Sequence, residues 1–282
     1  MEVLTTILIV LAVLFIIYLL MIMPRMINRA DRTPFYGRHY AHRGLFDNNS
    51  DSPENSLAAF KKAVDAGYGI ELDVQLSKDD KLVVFHDATL ERMCGIKGNV
   101  WDYTLEELQQ MKLLKSNETI PTFEQFLEVV DGKVPFILEF KLDRAQTKVC
   151  KLANEVLKNY KGIYCIESFH PLALLWYRKN RPDVCRGQLC EEFFRSEKYK
   201  GKALYTILAF LPFNFLTKPD FIAYNHEHAS NISRRICKLY GALQVCYTVK
   251  SVEEYKRAKE HFTLIMYSLI KIPTHFKCVG SF

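Results

Sequence analysis

The chain has 282 residues, 49% hydrophobic and 25% charged, with a net charge of +6. That is an ordinary globular balance, long enough for one large domain with a substantial core and free of low-complexity tracts or internal repeats. The positive excess does not mark a nucleic-acid binder: Arg25, Arg29, Arg32 and Arg38 gather just after an apolar N-terminus, against a single Asp31, instead of spreading along a face among aromatics.

Residues 3–23 are almost wholly apolar, interrupted only by Thr5, Thr6 and Tyr18. A helix needs about 20 such residues to cross a bilayer, so the run is read as a transmembrane anchor, residues 1–24. A cleaved signal peptide fits worse, because no basic residue precedes the run and Pro24-Arg25 stands where small residues should. A buried core helix is the remaining alternative. The arginines place the following side in the cytoplasm, which predicts a single-pass protein of the cell membrane with its main domain cytoplasmic. Residues 25–37 read as a basic linker and 38–282 as the catalytic domain.

Short β-branched or aromatic runs then alternate with helical patterns. Candidate strands cover 40–42, 70–76, 82–85, 136–141, 164–169, 184–189, 221–224, 244–249 and 263–267. Helical patterns cover 56–66, with Leu57, Phe60 and Val64 on one stripe and Gly67 as a stop, and also 122–130, 146–160 and 251–261. This order predicts a parallel α/β fold, and its length suits a TIM-type (β/α)8 barrel. Nine strands are one too many. The gap at 77–81 is too short for a crossover helix, so 70–86 should be a hairpin, which leaves eight barrel strands and an insertion at 88–121.

Residues 203–215 form a second uncharged stretch between the basic patch at 198–202 and Lys218. It is too short to span. It reads as a core helix of the barrel or, alternatively, as an interfacial segment lying against the bilayer beside the active-site mouth. None of the eight cysteines forms a Cys-x-x-Cys pair, and Cys165, Cys185 and Cys246 sit in apolar runs, as small core residues of a reducing compartment would.

The chemistry begins at Glu71-Leu72-Asp73. Strand residues two apart share a face, so Ile70, Leu72 and Val74 pack while Glu71 and Asp73 point together the other way. Glu139 and Lys141 repeat the arrangement in the run at 136–141. Three carboxylates and one ammonium would be neutralised by a divalent cation, and oxygen-only donors select Ca²⁺ or Mg²⁺ over zinc. The alternative for the same residues is a ladder of cross-strand ion pairs that draws in Lys81 or Arg92. His42-Arg43-Gly44 and His86-Asp87 each follow a strand. Imidazoles transfer protons near neutral pH, Arg grips phosphate oxygens, and Gly lets the backbone approach closely. His226-Glu227-His228 could touch substrate, though imidazoles would suit zinc better than the acidic site.

In order and spacing, His42-Arg43-Gly44, Pro53-Glu54-Asn55-Ser56, Glu71-Leu72-Asp73-Val74, His86-Asp87 and Glu139-Phe140-Lys141 resemble the motifs of glycerophosphodiester phosphodiesterases. Ser168-Phe169 and Tyr247-Thr248-Val249 resemble the family's later strand-end motifs. The resemblance implies hydrolysis of glycerophosphodiesters to glycerol 3-phosphate and an alcohol, and the apolar N-terminus with the 203–215 stretch extends the expected substrates from small molecules to lipid-derived ones, lysophospholipid headgroups with a lysophosphatidate-type product among them. It implies His42 and His86 as acid and base, Glu71, Asp73 and Glu139 as metal ligands, and Arg43, Lys141 and Tyr247 as substrate contacts. Glu54 and Asn55 are expected to support the site. The sequence departs at Tyr247, where the family usually has Trp, and at Met266-Tyr267-Ser268, where a Thr-Asp pair is usual. Competing readings are a phosphoinositide- or sphingomyelin-type phosphodiesterase on the same barrel, or a catalytically silent membrane-tethered binding protein.

Overall fold

Alternating inward and outward side chains along each strand build the sheet. Its strands are β1 (Tyr40–His42), β2 (Gly69–Leu76), β3 (Leu82–Val84), β4 (Phe136–Phe140), β5 (Tyr164–Ser168), β6 (Arg186–Cys190), β7 (Phe221–Asn225), β8 (Leu243–Val249) and β9 (Leu264–Tyr267). The order is β1-β9-β8-β7-β6-β5-β4-β2-β3, and β1 also pairs with β2, closing eight parallel strands into a barrel. β3 lies outside it, antiparallel to β2 with Val84 opposite Val74. The expected barrel with an added hairpin strand is therefore the observed architecture. The computed structural model describes residues 1–142, 144–197, 199 and 201–268. The end of the domain expected at 282, and Lys198 and Lys200 of the basic patch, lie outside the described residues.

Outward side chains Ile70, Leu72, Val74, Phe136, Leu138 and Phe140 pack under the helical layer. Inward ones, including Tyr40, Ile137, Cys165, Leu189, Phe221, Leu243 and Leu264, fill the lower interior, with Phe35 of the linker packed among them. Gly187 makes room there, since a Cβ would lie 1.9 Å from the Phe221 ring.

Helix α1 (Glu2–Met21) precedes the barrel with no buried residue. Between β1 and β2, α2 (Leu57–Asp65) starts at Ser56, whose hydroxyl accepts from the Ala59 N–H. The insertion after β3 carries α3 (Glu91–Cys94) and α4 (Leu105–Leu108), packed around Leu90, Met93, Val100 and Leu108 as a small core of its own. The remaining helices are α5 (Phe123–Val130), α6 (Lys148–Leu157), α7 (Pro171–Asn180), α8 (Ala203–Leu208), α9 (Asn214–Thr217), α10 (Ile232–Leu239) and α11 (Val252–Lys259). Where the other crossovers have one longer helix, β6 is followed by the short pieces α8 and α9. Residues 203–208 do not form a core helix: α8 has no buried residue, and only the stretch after it, at Ala209, Leu211 and Pro212, turns inward.

The linker is packed against the barrel. Arg25 pairs with Asp220 and donates to the Pro182 carbonyl, Arg29 donates to Tyr240, and Arg32 donates to Gly241. Three of the four clustered arginines thus hydrogen-bond barrel carbonyls, while six of the seven described cysteines are buried and all seven are unpaired thiols.

Candidate active site

The register of four neighbouring strands sets the site. β1 against β2 places His42 beside Glu71, β2 against β4 places Asp73 beside Glu139, and β4 against β5 places Glu139 beside Glu167. His42, Glu139 and Glu167 lie at or next to the C-terminal ends of their strands, with Glu71 and Asp73 of the longer β2 level with them, at the end of the barrel where loops cover it. Carboxylate oxygens of Glu71, Asp73 and Glu139 come within 4.8 Å of one another. Lys141, just past β4, reaches Asp73 Oδ1 at 2.9 Å and Glu139 Oε1 at 2.5 Å.

This much negative charge under cover reshapes the titrations. Burial raises the Glu71 carboxyl well above its usual range, and the charges of Asp73 and Glu139 add to that. Burial pushes Glu139 up to about 7 against the pull of Lys141. Burial would raise Asp73 as well, but Lys141, His86 and Arg43 hold it well below the ordinary value, helped by a hydrogen bond from Asn55 Nδ2 at 2.8 Å. Lys141 and an Arg43 guanidinium shared with Glu54 do not balance three carboxylates, and Glu71 Oε1 is buried with no hydrogen-bond partner. An oxygen-only set with an orphaned acceptor fits a hard divalent cation. Of the expected ion-pair ladder only Lys141 takes part at the acids: Lys81 is exposed, and Arg92 pairs with Glu54 and Asp87.

The loop after β1 is shaped by two successive left-handed residues, Arg43 at φ +58° and Gly44 at φ +82°. A Cβ on Gly44 would lie 2.9 Å from the Ala59 carbonyl carbon, so the turn can sit against α2 only with glycine there. The Arg43 N–H donates to Glu71 Oε2 at 3.0 Å, and its guanidinium reaches Glu54 Oε1 at 2.7 Å and Asp73 at 3.5 Å. Glu54 also accepts from Arg92 at 2.7 Å and Asn48 at 2.9 Å. Burial opposes its ionisation, yet these hydrogen bonds and the Arg43 charge bring its pKa down to about 2. Arg92 extends the chain of contacts to Asp87 at 2.6 Å, and Asp87 meets His86 Nδ1 at 2.6 Å. A continuous polar network therefore joins Arg43 to His86 through Glu54, Arg92 and Asp87.

The surroundings of both imidazoles disfavour their charged form. Burial draws His42 well below 6.5, reinforced by the charges of Arg43, His86 and Lys141; burial and Lys141 lower His86 as well. His86 Nδ1 faces Asp87, which leaves Nε2 as the ring nitrogen for other partners. His42 Nε2 lies 3.8 Å from Glu71, and its Nδ1 is 3.4 Å from the Ser268 hydroxyl. Tyr247 faces the same interior from β8, but its hydroxyl donates to the Cys190 carbonyl at 2.8 Å and its ring meets Phe169 edge-on. The structure thus brings together His42, Arg43, Glu71, Asp73, His86, Glu139 and Lys141, with Glu54 and Asn55 beneath them. His226 instead faces Glu254, and His228 accepts from the Glu192 N–H. Sequence reasoning missed Glu167 and Ser268. Glu167 is buried against Glu139, its carboxyl is raised well above the usual range by burial and that neighbour, and Oε2 has no partner. Its signal was the alternation of Cys165 and Glu167, the same inward pattern as Ile137 and Glu139.

The family model described as the glycerophosphoryl diester phosphodiesterase family matches residues 42–262. The chain belongs to this family. A glycerophosphodiester phosphodiesterase of Bacillus altitudinis is 34% identical over 157 residues, 51% of this chain and 63% of the relative. A mouse protein named as a lysophospholipase D is 30% identical over 157 residues, 51% of this chain and 48% of that one. The alignments thus span about half to three fifths of these relatives. Among solved structures, an Oleispira antarctica phosphodiesterase in complex with the product sn-glycerol-3-phosphate matches with a TM-score of 0.67 at 23% identity, covering 83% of this chain and 93% of that one. A glycerophosphodiester phosphodiesterase from Thermotoga maritima matches with a TM-score of 0.61 at 24% identity, covering 82% and 94%. At these identities the structural matches speak for the barrel fold of the family.

Proposed function

We propose that this chain is a divalent-cation-dependent phosphodiesterase that hydrolyses glycerophosphodiesters to glycerol 3-phosphate and an alcohol, anchored in the cell membrane by α1 with its barrel in the cytoplasm. The observation that carries the catalytic reading is the convergence of Glu71, Asp73 and Glu139 near two imidazoles and beside Arg43 and Lys141. Glu71, Asp73 and Glu139 would hold the ion, Ca²⁺ or Mg²⁺, whose charge stabilises the phosphoryl oxygens. Arg43, fixed by Glu54, and Lys141 bind and orient the phosphate. Of His42 and His86, one accepts the proton of the attacking hydroxyl or water and the other protonates the departing alkoxide. Asp87 holds His86 in one tautomer for that role. Tyr247 and Phe169 wall the side of the site nearest β6 and β8.

The anchor rests on a 20-residue helix with no buried residue, long and apolar enough to cross a bilayer. The mouse relative's name supports the lysophospholipids already among the candidate substrates. Phosphodiesterase assay of the purified chain, with EDTA and with Ca²⁺ or Mg²⁺ restored, tests the reading. Release of glycerol 3-phosphate that is lost in EDTA and regained with the ion is the expected result. Release of a phosphorylated headgroup would favour a phosphoinositide- or sphingomyelin-type enzyme, and no turnover under any ion would favour a silent binding protein.

A further inference from the structure

The way α1 meets the barrel decides which end of the barrel faces the bilayer, an inference that rests on reading α1 as a membrane span. The chain after residue 17 follows α10. Tyr18 OH lies 2.6 Å from Ser233 Oγ, in the first turn of α10. The Ile22 carbonyl accepts from Asn214 Nδ2 and lies 3.3 Å from Cys237 Sγ, one turn further along. Arg25 then pairs with Asp220, immediately before β7, and Arg32 donates to Gly241, just before β8. Since α10 descends from the C-terminal end of β7 to the N-terminal end of β8, residues 18–32 run from the catalytic end of the barrel to the opposite end. Residues 2–17, exposed throughout, project beyond the catalytic end.

Length sharpens this placement. Those residues reach about 24 Å at helical rise, against roughly 30 Å of hydrocarbon. The shortfall, about 6 Å, closes when the catalytic end itself sinks into the interfacial layer, a depth ordinary for amphipathic segments. The side chains there suit that burial. Leu204 and Ile207 on α8 are 59% and 54% exposed, and Ile232, the first residue of α10, is 51% exposed. Tyr205, Leu208 and Phe210 of the α8 segment and Tyr18 of α1 all pack against one hydrophobic cluster. Lys202, at the start of α8, is free to meet lipid phosphates from over the Tyr199 and Tyr205 rings.

We infer that the bilayer lies across the catalytic mouth, with α8 inserted beside α1, so that the site draws its substrate from the membrane surface: a monoacyl glycerophospholipid whose head enters the barrel while its chain stays in the bilayer. Two measurements on the full chain in phosphatidylcholine vesicles test this. In the first, Ile207→Trp and Leu239→Trp are compared with the unsubstituted chain, whose Trp101 and Trp176 give the background, using brominated phosphatidylcholine as quencher. Leu239 is exposed at the far end of α10. The added emission of Ile207→Trp should fall at least two-fold and that of Leu239→Trp should not. Vesicle-bound protein with the opposite pattern, or with neither site quenched, overturns the orientation, whereas protein that does not float with the vesicles overturns the anchor itself. In the second, Leu204→Glu combined with Ile207→Glu should cut turnover of vesicle-held lysophosphatidylcholine at least ten-fold and leave turnover of water-soluble glycerophosphocholine unchanged. Equal effects on both substrates, or none on either, would refute the membrane-fed site.

Discussion

Replacing Glu54 with Gln keeps the shape of the side chain and removes the charge on which Arg43 and Arg92 converge. Glu54 is nearly inaccessible and holds its proton only below about pH 2, against 4.5 for an ordinary glutamate. That displacement corresponds to about 3 kcal/mol of stability at neutral pH. Because the folded pKa is the lower one, the contribution is complete above pH 4.5 and is lost as pH falls through 2; it should be about half gone by pH 3. For a domain of this size a deficit of that order lowers Tm by roughly 6–12 °C. The assay is thermal unfolding of wild-type and Glu54→Gln protein in detergent from pH 7 to pH 3. The expected signature is a gap in Tm that is wide at neutral pH and narrows in acid. A gap that stays constant with pH, or a Gln variant as stable as wild type at pH 7, would show that the two arginines find equivalent partners and that the carboxylate is not the keystone of the network. Activity should fall too, through KM, since Arg43 loses its anchor while the imidazoles and carboxylates stay in place.

Glu71→Gln and Glu139→Gln should each abolish ion-dependent activity, and the rise in Tm that Ca²⁺ or Mg²⁺ gives the wild type should disappear, as differential scanning would record. His42→Ala and His86→Ala should lower kcat by about 10²–10⁴ with phosphate affinity retained, measurable as an unchanged Ki for glycerol 3-phosphate. Asp87→Asn should have a smaller effect than His86→Ala, because it frees the ring without removing it; equal losses would assign Asp87 a more direct role. Gly187→Ala should cost about 1–3 kcal/mol in denaturant unfolding, because its Cβ meets the Phe221 ring.

The barrel was legible where local rules and packing demand the same thing. Alternation over residues 70–76 put two carboxylates on one face because the other face had to lie under helices, and the five-residue gap at 77–81 forbade a parallel crossover. The stretch at 203–215 was not legible. An apolar run is equally compatible with a protein core and a lipid surface, and only the tertiary contacts separate exposed Leu204 from buried Leu211. The arginines after the apolar helix were read as a topology signal, but charge counting could not show that Arg25, Arg29 and Arg32 would be bound by carbonyls at the foot of the barrel. Glu167 escaped because a lone acid between Ile166 and Ser168 looks like an ordinary strand residue until β4 is laid beside it.

The departures from the family's usual residues fall at one side of the site, and the structure gives them a common physical meaning. Ser268 stands where a Thr-Asp pair usually ends the last strand, and its hydroxyl is the group nearest His42 Nδ1. A hydroxyl adds no charge, so nothing on that side offsets the lowering of His42 by burial and by Arg43. On the other ring Asp87 supplies a full negative charge through a 2.6 Å contact. The Nδ1 atoms of the two imidazoles are thus placed in unlike settings, that of His86 against a carboxylate and that of His42 near a neutral hydroxyl, with Glu71 3.8 Å away on the Nε2 side of His42, and unlike settings are what separates an acid from a base at one pH. Ser268→Asp should raise the pKa of His42 and move the limb of the kcat/KM profile that His42 governs to higher pH; a profile that does not move would mean that Ser268 and His42 are neighbours without being coupled.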